Sequence, residues 1–303
     1  MQAESCTIKH LEYLIPPSFK KKISEWLEED IPSFDYSAAV VGNSFEHAYL
    51  YNKSPGVLAG VPFVNMVMEL VNCEIEWHIE EGTLLKPNVL TGKDGYIKVA
   101  TIKGNANNIL MGERLALNIL ATASGIAWKS YRMNQIARSV QEFQGKVAAT
   151  RKVTPGIRLI QKYAVVVGGC DPHRMDLSSM IMLKDNAIES CGSIPEAIEK
   201  ARRLGGFTIK IEVESRNREE AIQAAKSGAD MVMLDNFTPF DAITVSKEIK
   251  ELYPGVLIEV SGGITEESCA QYMGPHIDIL SSSSIIQGAP TVDYSLKISK
   301  STV

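Results

Sequence analysis

The sequence predicts an α/β protein, an N-terminal α+β layer followed by a closed or nearly closed β/α barrel. Three observations carry this. Before residue 144, strands and helices follow one another without strict alternation. From Gln144-Gly145 onward, short β-rich runs alternate with amphipathic helical stretches, with strand starts about 20–33 residues apart, as in parallel β/α units. Each late run also ends in a polar residue of its own, which suits the mouth of a barrel.

Taken in order, residues 1–17 read as irregular and close on Pro16-Pro17. Ser18 is placed to cap a helix through 19–30, with Phe19, Ile23, Trp26 and Leu27 on one stripe. Short strands follow at 56–60, 73–79 and 83–85, then a turn at 92–95 and a strand through 96–104. Residues 106–140 form a strongly helical run whose wide apolar face (Ile109, Leu110, Leu115, Leu117, Ile119, Leu120) marks a buried or interface helix, with Gly125 as a point where it divides. The barrel strands are expected at 147–150, 180–183, 208–214, 231–235, 257–261 and 277–281. Helices are expected near 194–205, 217–229, 239–253 and 265–273, and the last residues leave the barrel and pack elsewhere.

Composition bounds the function. The 303 residues carry 31 Lys+Arg against 36 Asp+Glu, a net charge of −5, which argues against a broad nucleic-acid face. The five cysteines are widely spaced without a CxxC pair, so neither a disulfide framework nor a zinc site is expected. Reduced thiols and an N-terminus without a secretory pattern lead to an expected cytoplasmic location, or a nuclear one. No apolar run of about 18 residues is present, so no membrane span is expected.

Against this acidic background, residues 150–186 are basic, with Arg151, Lys152, Arg158, Lys162, His173, Arg174 and Lys184. Several of these follow apolar runs, as cations at strand ends. The other expected strand ends give Glu214, Asp235, Ser261-Gly262-Gly263 and Ser281 to Ser284. Such a ring suits an anion and a polyol. Carboxylates at Glu214 and Asp235 can hold ribose hydroxyls or Mg²⁺, directly or through water, although each also suits a helix cap. Glu212 shares a face with Glu214, and the strand-end position is preferred. The small residues at 261–264 and 281–284 let backbone amides approach a phosphate, with a helix N-terminus expected after the first loop. Arg174 suits a carboxylate because its fork donates two parallel bonds. Arg158 and Lys162 lie on the helix after Pro155 and are expected to be solvated or structural.

The segments GERLALNIL (112–120), TRKVTPG (150–156), VGGCDPHRMDLSSMIMLKDN (167–186), IEVE (211–214), MVMLDNF (231–237) and SGGI (261–264), in this order, resemble the quinolinate phosphoribosyltransferase family over nearly the whole chain. The resemblance implies an N-terminal α/β sandwich domain followed by an open β/α barrel of the type II phosphoribosyltransferase kind. We draw the domains at 1–125 and 126–287, with 288–303 joining the first. It implies transfer of a phosphoribosyl group from phosphoribosyl pyrophosphate to quinolinate with decarboxylation, giving nicotinate mononucleotide in NAD biosynthesis. It also implies a Mg²⁺ requirement and a homo-oligomer, dimeric or hexameric.

By motif, Arg151, Lys152, His173, Arg174 and Lys184 would surround the quinolinate carboxylates, with Arg114 supplied by a partner subunit. Lys152 and Lys184 would also touch the donor. Lys152, Glu214 and Asp235 are the expected catalytic groups, the two acids also holding donor and metal. Ser261, Gly262, Gly263, Ser281, Ser282 and Ser283 would take the phosphate. Two departures stand out: Ala187 replaces a histidine usual after Lys184-Asp185-Asn186, and Ser283 replaces a common glycine. The rival readings are a phosphoribosyltransferase for another acceptor and a non-catalytic metabolite-binding protein on the same fold.

Overall fold

Alternation builds the first sheet. In β1 (Phe45–Asn52) Ala48, Leu50 and Asn52 are buried while Tyr49 and Tyr51 between them are not, the period of a strand with one covered face. A computed structural model describes residues 10–87 and 95–299, so the expected turn at 92–95 lies almost wholly outside the described residues. β1 pairs antiparallel with β5 (Ile97–Asn105) on one side and β12 (Tyr294–Ser299) on the other. β3 (Glu74–Trp77) extends the sheet to the order β12-β1-β5-β3. β2 (Gly56–Val57) and β4 (Leu84–Leu85) form a separate antiparallel pair. These strands belong to a unit drawn from Met1–Tyr131, Thr154–Gly169 and Ala289–Val303.

The helices of this unit include α1 (Phe19–Asp30), α2 (Tyr36–Val41), α3 (Val61–Leu70) and most of α4 (Ala106–Ser139). Ser18 holds the N-cap position of α1, but its hydroxyl makes no capping bond. α3 begins at Gly60, whose φ of +103° suits glycine, and has no cap from its own sequence. The Glu81 carboxylate supplies one from a distance, accepting the Gly60 and Val61 N–H groups at 2.6 and 2.9 Å, and the Tyr163 hydroxyl donates to the same group.

α4 does not divide at Gly125. The helix runs unbroken, and a Cβ at Gly125 would lie 1.6 Å from the Pro290 carbonyl oxygen. The glycine is there because the C-terminal segment crosses the helix at that point. Among the described helices α4 alone is long and apolar enough to cross a membrane by length and composition, and 56% of its most apolar window is buried within the fold.

The second unit comprises Arg132–Val153 and Cys170–Gly288. Its sheet is parallel and six-stranded, in the order β6-β11-β10-β9-β8-β7. The strands are β6 (Lys146–Ala149), β7 (Ile181–Leu183), β8 (Ile211–Ser215), β9 (Met231–Asp235), β10 (Leu257–Ser261) and β11 (Ile279–Ser282). β6 and β7 are the two ends of that order, so the barrel is open rather than closed. The Asp171 segment lies against β6: Ala149 N–H donates to the Asp171 carbonyl and Asp171 N–H to the Val147 carbonyl.

α6 (Asp185–Cys191), α7 (Ile194–Gly205), α8 (Arg218–Lys226) and α9 (Pro239–Leu252) connect the strands. Asn217 and Thr238 cap α8 and α9 through their side chains. Asp235 caps no helix.

One boundary is drawn differently by the contacts of the fold, and one expected helix needs correction. The stretch 154–169, which includes the helix Arg158–Val167, clusters with the first unit although it lies inside the 126–287 span drawn from sequence. Within it Lys162 is buried, the structural one of its two expected roles. The helix expected over 265–273 is a single 3₁₀ turn, Cys269–Tyr272. Its phase is broken after Gly262 and Gly263, both at positive φ, and no helix N-terminus stands behind that loop.

Candidate active site

Parallel register brings the strand ends together. Glu214 pairs with Met233, Ser261 with Asp235, and Ser281 with Ala148, so the polar residues that end successive strands share one rim. They line a cavity of about 360 Å³, all of whose lining residues come from the second unit. Of the residues named from sequence, Arg151, Lys152, His173, Arg174, Lys184, Glu214, Asp235, Ser261, Gly262, Gly263, Ser281, Ser282 and Ser283 line it. Arg114 sits at an exposed position on α4 in the first unit. Glu214 lines the cavity and Glu212, two residues earlier on the same face, does not.

The cationic wall is short of counter-charge. Arg151 and Lys152 are exposed and make no salt bridge among the described residues. Arg174 spends one N–H on the Met182 sulfur at 3.1 Å, a weak acceptor. Burial, then the neighbouring Arg151 cation, pull its guanidinium below the usual range. Adjacent guanidiniums with only a thioether between one of them and saturation form a site that gains from a polyanion.

The acidic rim is engaged from within. Lys184 forms an ion pair with Glu214, and Asp235 accepts from the Asn236 side chain at 2.7 Å. Both contacts are exchangeable for a ligand that offers hydroxyls to the acids and an anion to the lysine. The glycine loop is held open by geometry. Gly262 has φ +103°, and a Cβ there would lie 2.4 Å from the Asn236 side-chain oxygen. Asn236 itself sits at φ 58°, a left-handed conformation that asparagine tolerates. The serine loop turns into a short 3₁₀ helix, with Ser282 Oγ accepting the Ser284 N–H at 3.1 Å. The Ser282 hydroxyl is 2.5 Å from the Ile264 carbonyl, which ties the two loops together.

Glu259 lines the cavity and was not singled out from sequence. It is 1% exposed. Ser281 donates to its Oε1 at 2.6 Å, and His173 Nε2 lies 2.8 Å from its Oε2. The signal was present: in LIEVS it precedes Ser261 by two, as Glu212 precedes Glu214 in IEVES. His173, at φ 54°, accepts the Arg174 N–H on Nδ1 at 2.7 Å. That leaves the ring proton on Nε2, directed at Glu259, so both ring nitrogens have protein partners.

Glu212 is fully buried and neither of its carboxyl oxygens has a hydrogen-bond partner among the described residues. Burial, then Glu259, push its carboxyl up to about 9. Donor atoms of His173, Glu212 and Glu259 lie within 4.8 Å of one another. Because Nε2 carries the proton and is directed at Glu259, the His173–Glu259 pair reads as a hydrogen-bonded pair with the raised Glu212 carboxyl beside it, rather than as an ion cage.

An open β/α barrel with a cation-rich wall, an acidic rim and two small-residue loops defines a protein that handles phosphorylated, polyanionic small molecules at its strand ends. Residues 35–124 match the N-terminal domain and residues 126–297 the C-terminal domain of quinolinate phosphoribosyl transferase. A nicotinate-nucleotide pyrophosphorylase (carboxylating) of Dictyostelium discoideum is 47% identical over 292 residues, covering 94% of this chain and 97% of that protein. The protein of that name from Homo sapiens is 42% identical over 289 residues, 95% and 94% of the two chains. The structure of a nicotinate-nucleotide pyrophosphorylase from Francisella tularensis superposes with a TM-score of 0.84 at 30% identity, covering 94% of this chain and 98% of that one. The chain belongs to the quinolinate phosphoribosyltransferase family.

Proposed function

We propose that the chain transfers the phosphoribosyl group of phosphoribosyl pyrophosphate to the ring nitrogen of quinolinate, with loss of CO₂, to give nicotinate mononucleotide and pyrophosphate in NAD biosynthesis. The observation that carries this is one cavity lined together by the cations Arg151, Lys152 and Arg174, the acids Glu214 and Asp235, and the small-residue loops at Ser261–Gly263 and Ser281–Ser283. Arg151, Lys152 and Arg174 receive the two carboxylates, each charge-assisted bond contributing roughly 1.5–3 kcal/mol. Ser261, Gly262, Gly263 and Ser281–Ser283 hold the 5′-phosphate through backbone N–H groups, the role left to them once no helix stands behind the first loop. Glu214 and Asp235 hold the ribose hydroxyls.

The two acids end adjacent strands and face one cavity, so they also offer hard oxygen ligands suited to Mg²⁺, which keeps waters and phosphate oxygens in its remaining positions. When bound, that ion would neutralise charge on the departing pyrophosphate. Lys152 and Lys184 lie where they stabilise the same leaving group. The acceptor nitrogen attacks the anomeric carbon as the C–O bond to pyrophosphate breaks. When the adjacent C–CO₂ bond breaks, CO₂ leaves and the electron pair stays on the ring carbon, stabilised by the neighbouring positive nitrogen, until that carbon takes a proton from water. No side-chain nucleophile is needed. Ala187 lies on α6, after the Lys184 strand end, and does not line the cavity, so its departure from the family pattern leaves this chemistry intact.

A homo-oligomer completes the proposal. Phe34, Tyr36, Val40 and Phe45 of the first unit are exposed apolar side chains, and Arg114 is exposed on α4, available to a partner subunit's site. The thiols of Cys73, Cys191 and Cys269 support a reducing, cytoplasmic setting. The test is release of pyrophosphate and CO₂ dependent on both quinolinate and phosphoribosyl pyrophosphate. Turnover with nicotinate instead would assign another acceptor, and ligand binding without turnover would assign a non-catalytic role.

A further inference from the structure

We propose that Glu259 is a positioning residue that couples the carboxylate end of the cavity to its phosphate end. This rests on the function proposed above, and it concerns a residue to which neither the sequence motifs nor the carried-over roles give a part. The basis is a continuous hydrogen-bonded chain within the second unit. Arg174 N–H donates to His173 Nδ1 at 2.7 Å, and His173 Nε2–H donates to Glu259 Oε2 at 2.8 Å. Ser281 donates to Glu259 Oε1 at 2.6 Å, and the Ser281 and Ser261 hydroxyls are 3.0 Å apart.

The direction of each bond follows from proton counting. Ser281 has one hydroxyl proton, and the carboxylate is the stronger acceptor at the shorter distance. Its longer contact, 3.0 Å to the Ser261 hydroxyl, also runs outward from Ser281, so Ser261 is the acceptor there and the Ser281 proton is shared with the carboxylate favoured. Ser261, accepting from Ser281, keeps its own hydroxyl proton for the cavity, where it joins the backbone N–H groups of that loop in facing a phosphate. At the other end the imidazole proton is fixed on Nε2, which keeps Nδ1 available to hold the backbone of Arg174. Both ends take their polarity from the two oxygens of one carboxylate that is itself nearly sealed from water.

A glutamine at this position has a single acceptor oxygen. It satisfies either His173 or Ser281, and its NH₂ reverses the bond at the other end. Glu259→Gln is therefore expected to lower kcat/KM for both quinolinate and phosphoribosyl pyrophosphate by about tenfold or more in the full chain, with little change in Tm. Ser281→Ala removes the donor on the phosphate side only, yet is expected to weaken quinolinate use as well, by about threefold or more. The double variant should lose no more than Glu259→Gln alone, because both changes break one chain.

A purely structural role would lower Tm and leave the two substrates' constants unchanged in the folded protein. Wild-type constants for either substrate in Glu259→Gln, or a Ser281→Ala defect confined to the donor, would overturn the proposal. If Glu259→Gln does not fold, the Ser281→Ala cross-effect decides the matter alone. If the wild-type chain shows no quinolinate turnover, the proposed function fails separately. Calorimetric titration of the same proteins with quinolinate and with pyrophosphate then still reads the coupling, which fails if Ser281→Ala leaves quinolinate affinity unchanged.

Discussion

Lys152 carries charge into the cavity without a carboxylate to offset it, so its loss is felt by the ligand rather than by the fold. Lys152→Ala is expected to lower kcat/KM by more than about tenfold with an unchanged Tm, and steady-state kinetics beside a melting curve would check it. Gly262 makes a different demand. Alanine there meets both an unfavourable φ and the Asn236 side chain, a strain of about 1–3 kcal/mol at a loop proposed to bind phosphate. Gly262→Ala should raise KM for phosphoribosyl pyrophosphate more than KM for quinolinate, which initial-rate measurements with each substrate varied would reveal.

At this scale much was legible, because cations and acids after apolar runs announce strand ends by type and position. The destination of His173 was not. Its pairing with Glu259 spans more than eighty residues of sequence, and nothing local distinguishes a histidine facing a ligand from one facing a buried carboxylate. Glu259 was hidden for the same reason, since an acid inside an apolar strand has meaning only once its partners are known.

Elements show where local grammar yields to packing. Gly125 reads as a helix break by propensity, yet the Pro290 carbonyl lies where its side chain would be, so the helix passes through and the C-terminal segment rests on it. Gly125→Ala should destabilise the protein by at least about 1–3 kcal/mol by overpacking, seen as a lower denaturation midpoint despite alanine's better helix propensity. α3 shows the reverse case, a helix start stabilised by a distant acid. Burial raises the Glu81 carboxyl above its ordinary range, while Tyr163 and the Val61 and Gly60 N–H groups pull it down less strongly.

A raised folded pKa means the folded state holds the proton more tightly than the unfolded one. The associated stability is fully present below the unfolded pKa of about 4.3 and is lost as pH rises through the folded value. Glu81→Gln should remove that dependence. The Tm of the wild type relative to the variant should therefore fall as pH is raised from about 4 towards neutrality, and a pH series of thermal melts would show it. β9, β10 and α7 were readable to the residue because apolar runs and caps agreed there. α2 and α3 were not singled out, the one six residues long and the other too apolar for period alone to mark it; β1 was not singled out although its alternation of Ala48, Leu50 and Asn52 lies in the sequence.

For the whole molecule, the alternation after residue 144 located the parallel sheet, while its openness was implied by the family resemblance alone until the strand order bore it out, since spacing along the chain cannot say whether the first and last strands meet. The exposed Phe34, Tyr36, Val40 and Phe45 side chains and the exposed Arg114 support the proposal of an oligomer whose sites are completed between subunits. Arg114→Ala should keep the oligomer, by light scattering, while raising KM for quinolinate by about tenfold.

The measurement that bears most directly on the whole is a paired assay of pyrophosphate and CO₂ release by the purified chain with Mg²⁺. Equal release of both, dependent on quinolinate and phosphoribosyl pyrophosphate and absent with nicotinate, is the expected result. Pyrophosphate release driven by nicotinate, or binding of both substrates with no release of either product, would contradict it.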